Sequence, residues 1–266
     1  AYKIQQNRTD LNLDKPNSNN PLLPSFAQTS ASSQQSMLTG TDFPWAKERL
    51  RVLSASSPGA AISEYRIGID GFQKSLTDAQ KYGLALAYND NNLGSNAEPL
   101  LTELAKKYPN NLWIALAHAE AAGTAKKSIL AQSRYEQLLQ QFPNNRAVII
   151  AFAQFLIEQN NPTLAARAQN LMRPLINDSY EDVVFQRSYA RACELSGNTL
   201  RASEAYAEVA FLNGRVDDAI NQLTVLLEND DLDYYQRTRI EARIAAFRPI
   251  SLELRRQGIR PEQQGG

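Results

Sequence analysis

Cysteine and histidine are nearly missing from this sequence: there is one of each, Cys193 and His118, in 266 residues. A lone cysteine excludes a disulfide within the chain and any cysteine-rich zinc site. A lone histidine excludes the H-E-x-x-H zinc helix, which needs two. A Ser-His-Asp triad would have to be assembled on His118. No run of eighteen apolar residues occurs, so no segment is built to cross a membrane as a helix. Net charge is missing as well, since 28 Lys and Arg offset 28 Asp and Glu. That leaves no overall field to draw the chain to nucleic acid or an anionic membrane. Nor is there a glycine-rich phosphate loop, for Gly68 and Gly71 are too few and stand in a helical context. What remains, 43 % apolar and 21 % charged residues, is enough to build a core.

The chain opens on Ala1-Tyr2-Lys3 without methionine. We expect either a leader that has been removed or a piece of something longer. Asn, Gln, Ser, Thr and Pro fill 22 of the first 40 positions. Such a stretch buries too little to offset its chain entropy, and residues 1–42 are expected to be mostly disordered. From residue 43 the pattern turns helical, and 43–76 reads as two N-terminal helices. The first covers Trp45 to Leu53, the break falls at Ser56-Ser57-Pro58-Gly59, and the second runs from Ala60 to Leu76.

Internal repetition is the strongest signal. Tyr108-Pro109-Asn110-Asn111 recurs 34 residues later as Phe142-Pro143-Asn144-Asn145. That interval is the length of a tetratricopeptide repeat, a helical hairpin with small residues at positions 8 and 20, where its two helices cross. Counting from Asp78, Leu112, Arg146 and Val183 places Ala85 and Ala97, Ala119 and Ala131, Ala153 and Ala165, and Ala190 and Ala202 at those positions. Pro109 and Pro143 fall at position 32, where proline stops the second helix and an Asn after it can cap the next. The third repeat breaks the pattern at Gln169 and Asn177, and the fourth begins after a short insertion. The phase then changes, because Thr199 to Asn213 serves both as a second helix and as a first helix of the next pair. Gly214, a helix over Val216 to Glu228 and a last helix from about Tyr234 to Arg255 complete the array. The expected fold is therefore all-α: a tetratricopeptide-repeat (helix-turn-helix) solenoid over 77–256 with a capping C-terminal helix, and a frayed tail at 257–266.

Such arrays bind partners on the concave groove made by the first helix of each hairpin. Positions 2, 5, 9 and 12 give the candidate partner-binding residues Tyr82, Asn89, Trp113, Leu116, Glu120, Ile150, Gln154, Ile157, Arg187, Arg191 and Glu194. An aromatic anchor near two arginines one turn apart suits an extended or partly unfolded polypeptide. The competing reading has Trp113 packed under the preceding repeat and both arginines facing water. Tyr82 and Leu86 stand where a carboxylate clamp of the chaperone-adaptor kind would need Lys and Asn, which disfavours that mode. His118 is expected to be a buried, satisfied imidazole, and Cys193 a small apolar filler.

Near the C-terminus the sequence reads Ala205-Tyr206-Ala207-Glu208-Val209-Ala210-Phe211-Leu212-Asn213-Gly214-Arg215-Val216-Asp217-Asp218-Ala219-Ile220, then Tyr235-Gln236-Arg237 and Ile240-Glu241-Ala242-Arg243-Ile244. This resembles the C-terminal portion of the BepA-type periplasmic zinc metalloproteases that enhance β-barrel assembly and carry a tetratricopeptide domain. Thr41-Asp42-Phe43-Pro44 with Glu48-Arg49-Leu50 is similar to the stretch that closes their protease domain, with Asp42-Phe43 where the family has histidine. The resemblance covers residues 41–256. It implies that the zinc ligands lie N-terminal to this region, so this chain would hold no cofactor and no catalytic residue. Residues 1–42 would be a remnant of the protease domain. It also implies a periplasmic, chaperone-like docking role toward outer-membrane proteins or their β-barrel assembly machinery, with no nucleic acid and no membrane span. Two other readings stand beside it. One is a part of an active zinc protease. The other is a stand-alone tetratricopeptide scaffold for an unrelated peptide or protein.

Overall fold

The computed structural model describes residues 42–70 and 75–258. The expectations for the polar N-terminal segment and for the end of the tail lie outside those residues. The chain divides into two units at Pro44, and the unit from Trp45 onward carries the helical array. Among the described residues every regular element is helical. The helices are α1 Phe43–Leu53, α2 Pro58–Asp70, α3 Asp78–Asp90, α4 Gly94–Lys107, α5 Leu112–Thr124, α6 Ser128–Gln141, α7 Arg146–Glu158, α8 Pro162–Met172, α9 Val183–Leu195, α10 Thr199–Leu212, α11 Val216–Leu227 and α12 Tyr234–Arg256. From α2 on, each packs against its neighbour in sequence. In addition α3 packs on α5, α5 on α7 and α7 on α9. These are stacked helical hairpins, an all-α solenoid arrangement.

Two local devices recur and set the element ends. The first is the N-cap. Thr77, Asn111, Asn145 and Asp182 accept hydrogen bonds from the backbone amides that open α3, α5, α7 and α9. The second is a left-handed residue between the helices of each pair: Asn92, Lys126, Asn160 and Gly197, with φ of 56°, 63°, 50° and 82°. Caps and turns both advance by 34, 34 and 37 residues. The extra three are taken up by two 3-10 turns, Arg173–Leu175 and Asn177–Ser179, at the point where the third repeat loses its pattern. Gly214, with φ of 79°, repeats the left-handed turn only 17 residues after Gly197. Thus α10 closes one hairpin with α9 and opens the next with α11.

Two expected boundaries are corrected. Pro58 begins α2 instead of breaking the chain before it, because Ser57 Oγ accepts the Ala60 amide at 3.1 Å and caps the helix. Proline is at home in that first turn, where no N–H is needed. The helix also does not reach Leu76: Ser75 and Leu76 are non-helical, since the Thr77 cap that follows needs extended backbone; residues 71–74 lie outside the described residues.

The crossing alanines Ala85, Ala97, Ala119, Ala131, Ala153, Ala165, Ala190 and Ala202 are all buried. Gly94 goes further: a Cβ there would collide with the backbone of Ala121 and Ala125, so α4 starts against the end of α5. Larger side chains fill the space between hairpins. Trp45 stands edge-on to Tyr82 and Tyr108, Phe152 stacks on Tyr135, and Phe247 stacks on Phe211 at 4.0 Å. Ion pairs run from hairpin to hairpin: Glu98 with Arg134 at 2.6 Å, Glu136 with Arg167 at 2.7 Å, and Glu204 with Arg239 at 2.7 Å. On α12, Arg243 meets Glu208 at 2.6 Å and lies over the Phe247 ring at 4.2 Å.

The crossing positions can be tested directly. Ala119→Leu and Ala153→Leu each overpack a helix crossing and lower the unfolding free energy by about 1–3 kcal/mol. Ala125→Leu, at the C-cap of α5, changes it by less than about 0.5 kcal/mol. Equal losses at all three in urea titrations would put the crossings elsewhere. The turns give a second test. Lys126→Gly relieves a left-handed side chain and raises stability by about 1 kcal/mol. Gly197→Ala, whose added Cβ meets nothing, lowers it by about the same amount.

Candidate interaction groove

Because α3, α5, α7 and α9 pack side by side, one face of each contributes to a continuous surface. Ten of the eleven positions singled out in the sequence divide into three groups on it, and Glu120 stands apart.

Tyr82 and Asn89 are buried, at 0 % and 2 % exposure. This corrects their placement as open groove residues. Tyr82 sits at a groove position of the first hairpin, but α1 brings Trp45 edge-on to it at 5.6 Å. Burial pushes its hydroxyl up to about 12, against which the charge of Arg49 and the contact of its guanidinium act. Asn89 ties α3 to α5: its Nδ2 donates to Ala117 O at 3.0 Å and reaches Glu120 Oε2 at 3.4 Å, while Oδ1 has no partner.

Trp113, Leu116, Ile150, Gln154 and Ile157 are half-buried. Trp113 packs on the N-terminal core with Tyr82 and Leu101, as the competing reading has it. Leu116, Ile150 and Ile157 pack on the central core around Phe152 and present only their remaining surface. Gln154 Nε2 lies 3.4 Å from Ser188 Oγ on α9.

Arg187, Arg191 and Glu194 are exposed. Arg191 is engaged by Glu194 at 2.8 Å and by Asn160 Oδ1 at 3.5 Å, and Glu194 accepts from the Tyr206 hydroxyl at 2.9 Å. The two arginines are therefore unequal: Arg191 is held, and Arg187 makes no ion pair with the described residues.

Glu120 is the centre of a group that sequence reasoning missed. Burial pushes its carboxyl above the usual range, and the charges of Asp90 and Glu158 push it further; Arg49 and the Asn89 amide act the other way. Asp90 ends α3 and Glu158 ends α7. Both stand at the rim, open to solvent on one side, and both are raised by partial loss of water, offset by Arg49 and by Lys126 respectively. The only signal in the sequence was that Asp90 and Glu158 share position 13 of their repeats.

The lone histidine is half-buried and the lone cysteine buried. His118 Nε2 lies 3.2 Å from Thr102 Oγ1 and 3.3 Å from Glu98 Oε1. Burial and then Arg134 lower its pKa, which Glu98 opposes. The Cys193 thiol is pushed up to about 11 by burial, which makes it a poor nucleophile. Among the described residues no cluster of three or more His, Cys, Asp or Glu is placed to hold a metal ion. Set beside known proteins, the sequence matches no family model and no curated protein.

A carboxyl raised in the folded state favours folding more as it takes up its proton, so its cost is greatest when it is ionised. Glu120→Gln should therefore raise the thermal midpoint at pH 7, by about 2–4 °C for each kcal/mol relieved. The gain should shrink as the pH falls toward the ordinary carboxylate range, where the folded wild type is already protonated. A gain that is zero at pH 7, or equal at every pH, would place Glu120 in open water.

Proposed function

We propose that this chain is a non-catalytic docking module, a tetratricopeptide-type array whose α3–α5–α7–α9 face takes an extended or partly unfolded polypeptide. The observation that carries the reading is the 34-residue return of the same cap and the same left-handed turn, the interval of that repeat class. Its first helices stack into one surface on which half-buried aliphatic side chains alternate with charge. A surface of that kind suits a ligand that offers backbone and mixed side chains more than one with a fixed shape.

The partner class rests on the resemblance of residues 205–244 to the repeat domain of BepA-type metalloproteases. On that basis the ligand is an unfolded outer-membrane β-barrel protein or part of the machinery that assembles it, met in the periplasm. Catalysis has no place in this reading. The zinc chemistry of that family needs histidine ligands, and the one histidine here is committed to Thr102 and Glu98.

A urea-denatured outer-membrane β-barrel protein, diluted into buffer with the full chain, provides the test. Light scattering should be suppressed at near-equimolar chain, and Arg187→Glu with Ile157→Thr should remove most of that effect while the chain stays helical by circular dichroism. Suppression untouched by the double variant would move binding off this face. No suppression by the wild type would overturn the chaperone reading and leave the stand-alone scaffold for an unrelated partner.

A further inference from the structure

In the earlier hairpins the crossing face of the first helix is hidden by the helix that follows it. On α10, used as a first helix, that face is Ala207, buried with Ala219 of α11. Two ion pairs carry the register on to α12: Glu204 meets Arg239 and Glu208 meets Arg243, both 35 residues apart. The position of Ala207 on α12 is therefore Ala242. Ala242 is exposed, and among the described residues no helix follows α12. Around it Tyr235, Thr238, Ala242, Ala245, Pro249 and Leu252 are all exposed. They stand three and four apart in alternation, the spacing of a seam between two helices. The opposite side of α12 is already in use, since Ile240, Ile244 and Phe247 pack into the C-terminal core. A surface helix ordinarily sets charge opposite its buried stripe. Here a tyrosine and a leucine, 79 % and 56 % exposed, stand there instead.

We propose that this face joins two copies of the chain, their α12 helices antiparallel about a two-fold axis. Such a contact requires the face to complement itself, and in one register it does. With Ala242 opposite Ala245 of the second copy, Tyr235 meets Leu252 and Thr238 meets Pro249. Small residues then lie at the middle, where the helices come closest, and large ones close both ends. At the edge of the seam Glu241 of each copy falls beside Arg248 of the other, twice by symmetry. Both residues are exposed, and neither makes an ion pair among the described residues. Sliding the pair by one heptad would set Arg248 against Arg248. A parallel pair would stack Pro249 on Pro249 and leave Glu241 facing Ala246. The seam is about 26 Å long, which is small beside the roughly 1,200 Å² of a stable interface, so the association is expected in the micromolar range. Helices α3, α5, α7 and α9 take no part in it, and the pair would therefore carry two docking faces.

Sedimentation equilibrium of the full chain provides the test. The wild type should pass from 29.6 kDa to twice that mass as its concentration rises from about 1 to 200 µM. Glu241→Arg alone, or Arg248→Glu alone, places two like-charge contacts in each pair and should weaken association about tenfold. The double exchange of Glu241→Arg with Arg248→Glu should restore it, a recovery that a folding defect cannot produce. Direction is read by oxidising cysteine variants, against the low background of the buried Cys193. Tyr235→Cys and Leu252→Cys should each stay unlinked alone, and a mixture of the two should form a disulfide-linked dimer. A wild type that is monomeric throughout would overturn the self-pairing and leave the face to a helix of a different protein. An association that neither single charge change weakens, or that the double exchange does not restore, would place the contact elsewhere. Linkage of either cysteine variant with itself would overturn the antiparallel register.

Discussion

How closely two helices approach depends on what stands between their backbones, and in this array it is a methyl group or less. Alanine fills both crossing positions of four successive hairpins, all of them buried, and at Gly94 even a methyl is refused by the backbone of the next helix. Close crossing is what makes each hairpin a thin plate. Thin plates can stack with α3, α5, α7 and α9 in direct contact, and only such stacking turns separate helices into one surface. The bulky residues, Tyr135, Phe152 and Phe185 among them, fill the gaps between plates. Their packing follows from the crossing distance and does not set it.

The electrostatics of the groove follow from the same geometry. Asp90, Glu120 and Glu158 are dozens of residues apart in the chain, yet neighbouring first helices bring them within reach of one another. Loss of water holds protons on all three more tightly than a free carboxylate would, and at Glu120 the charges of Asp90 and Glu158 add to it. Elsewhere between the helices acids are paired with bases: Glu98 takes Arg134, and Glu208 takes Arg243. The groove acids have only Arg49 and Lys126 at their edges. The tension is therefore local to the face that the stacking exposes, where a local rule is most often broken for the sake of a ligand.

Much of this could be read from the residues. Each cap is an Asn, Asp or Thr ahead of an apolar run, and the crossing alanines follow from the 34-residue interval, because both depend on a few neighbouring residues. The insertion before Val183 was visible as a lost pattern. The exposure of a single position was not. Tyr82 and Ile150 occupy the same repeat position, but one is covered by α1 and the other is half open, since burial depends on which element happens to be stacked above. Lys126 in the left-handed turn was equally hidden: lysine has no special liking for that conformation, which the backbone bonds closing α5, Lys126 N to Gly123 O and Lys127 N to Ala122 O, hold in place. The acid group was the least legible part, because it exists only between repeats.

The ion pairs that join the second helices share one direction, opposite to the Arg146–Asp182 pair between α7 and the cap of α9. In each of these pairs along the second helices the acid lies on the earlier helix and the arginine on the later one: Glu98 to Arg134, Glu136 to Arg167, Glu204 to Arg239. Helix α6 carries both halves, Arg134 facing back and Glu136 facing forward. Such a stack is keyed like a row of identical couplings. Excising α5 and α6 would bring the acid side of α4 toward the basic side of α8, and duplicating them would keep the same order of charges. The length of the array is thus free to change by whole hairpins without meeting like charges at the new joint, whereas a reversed hairpin would meet them at both ends.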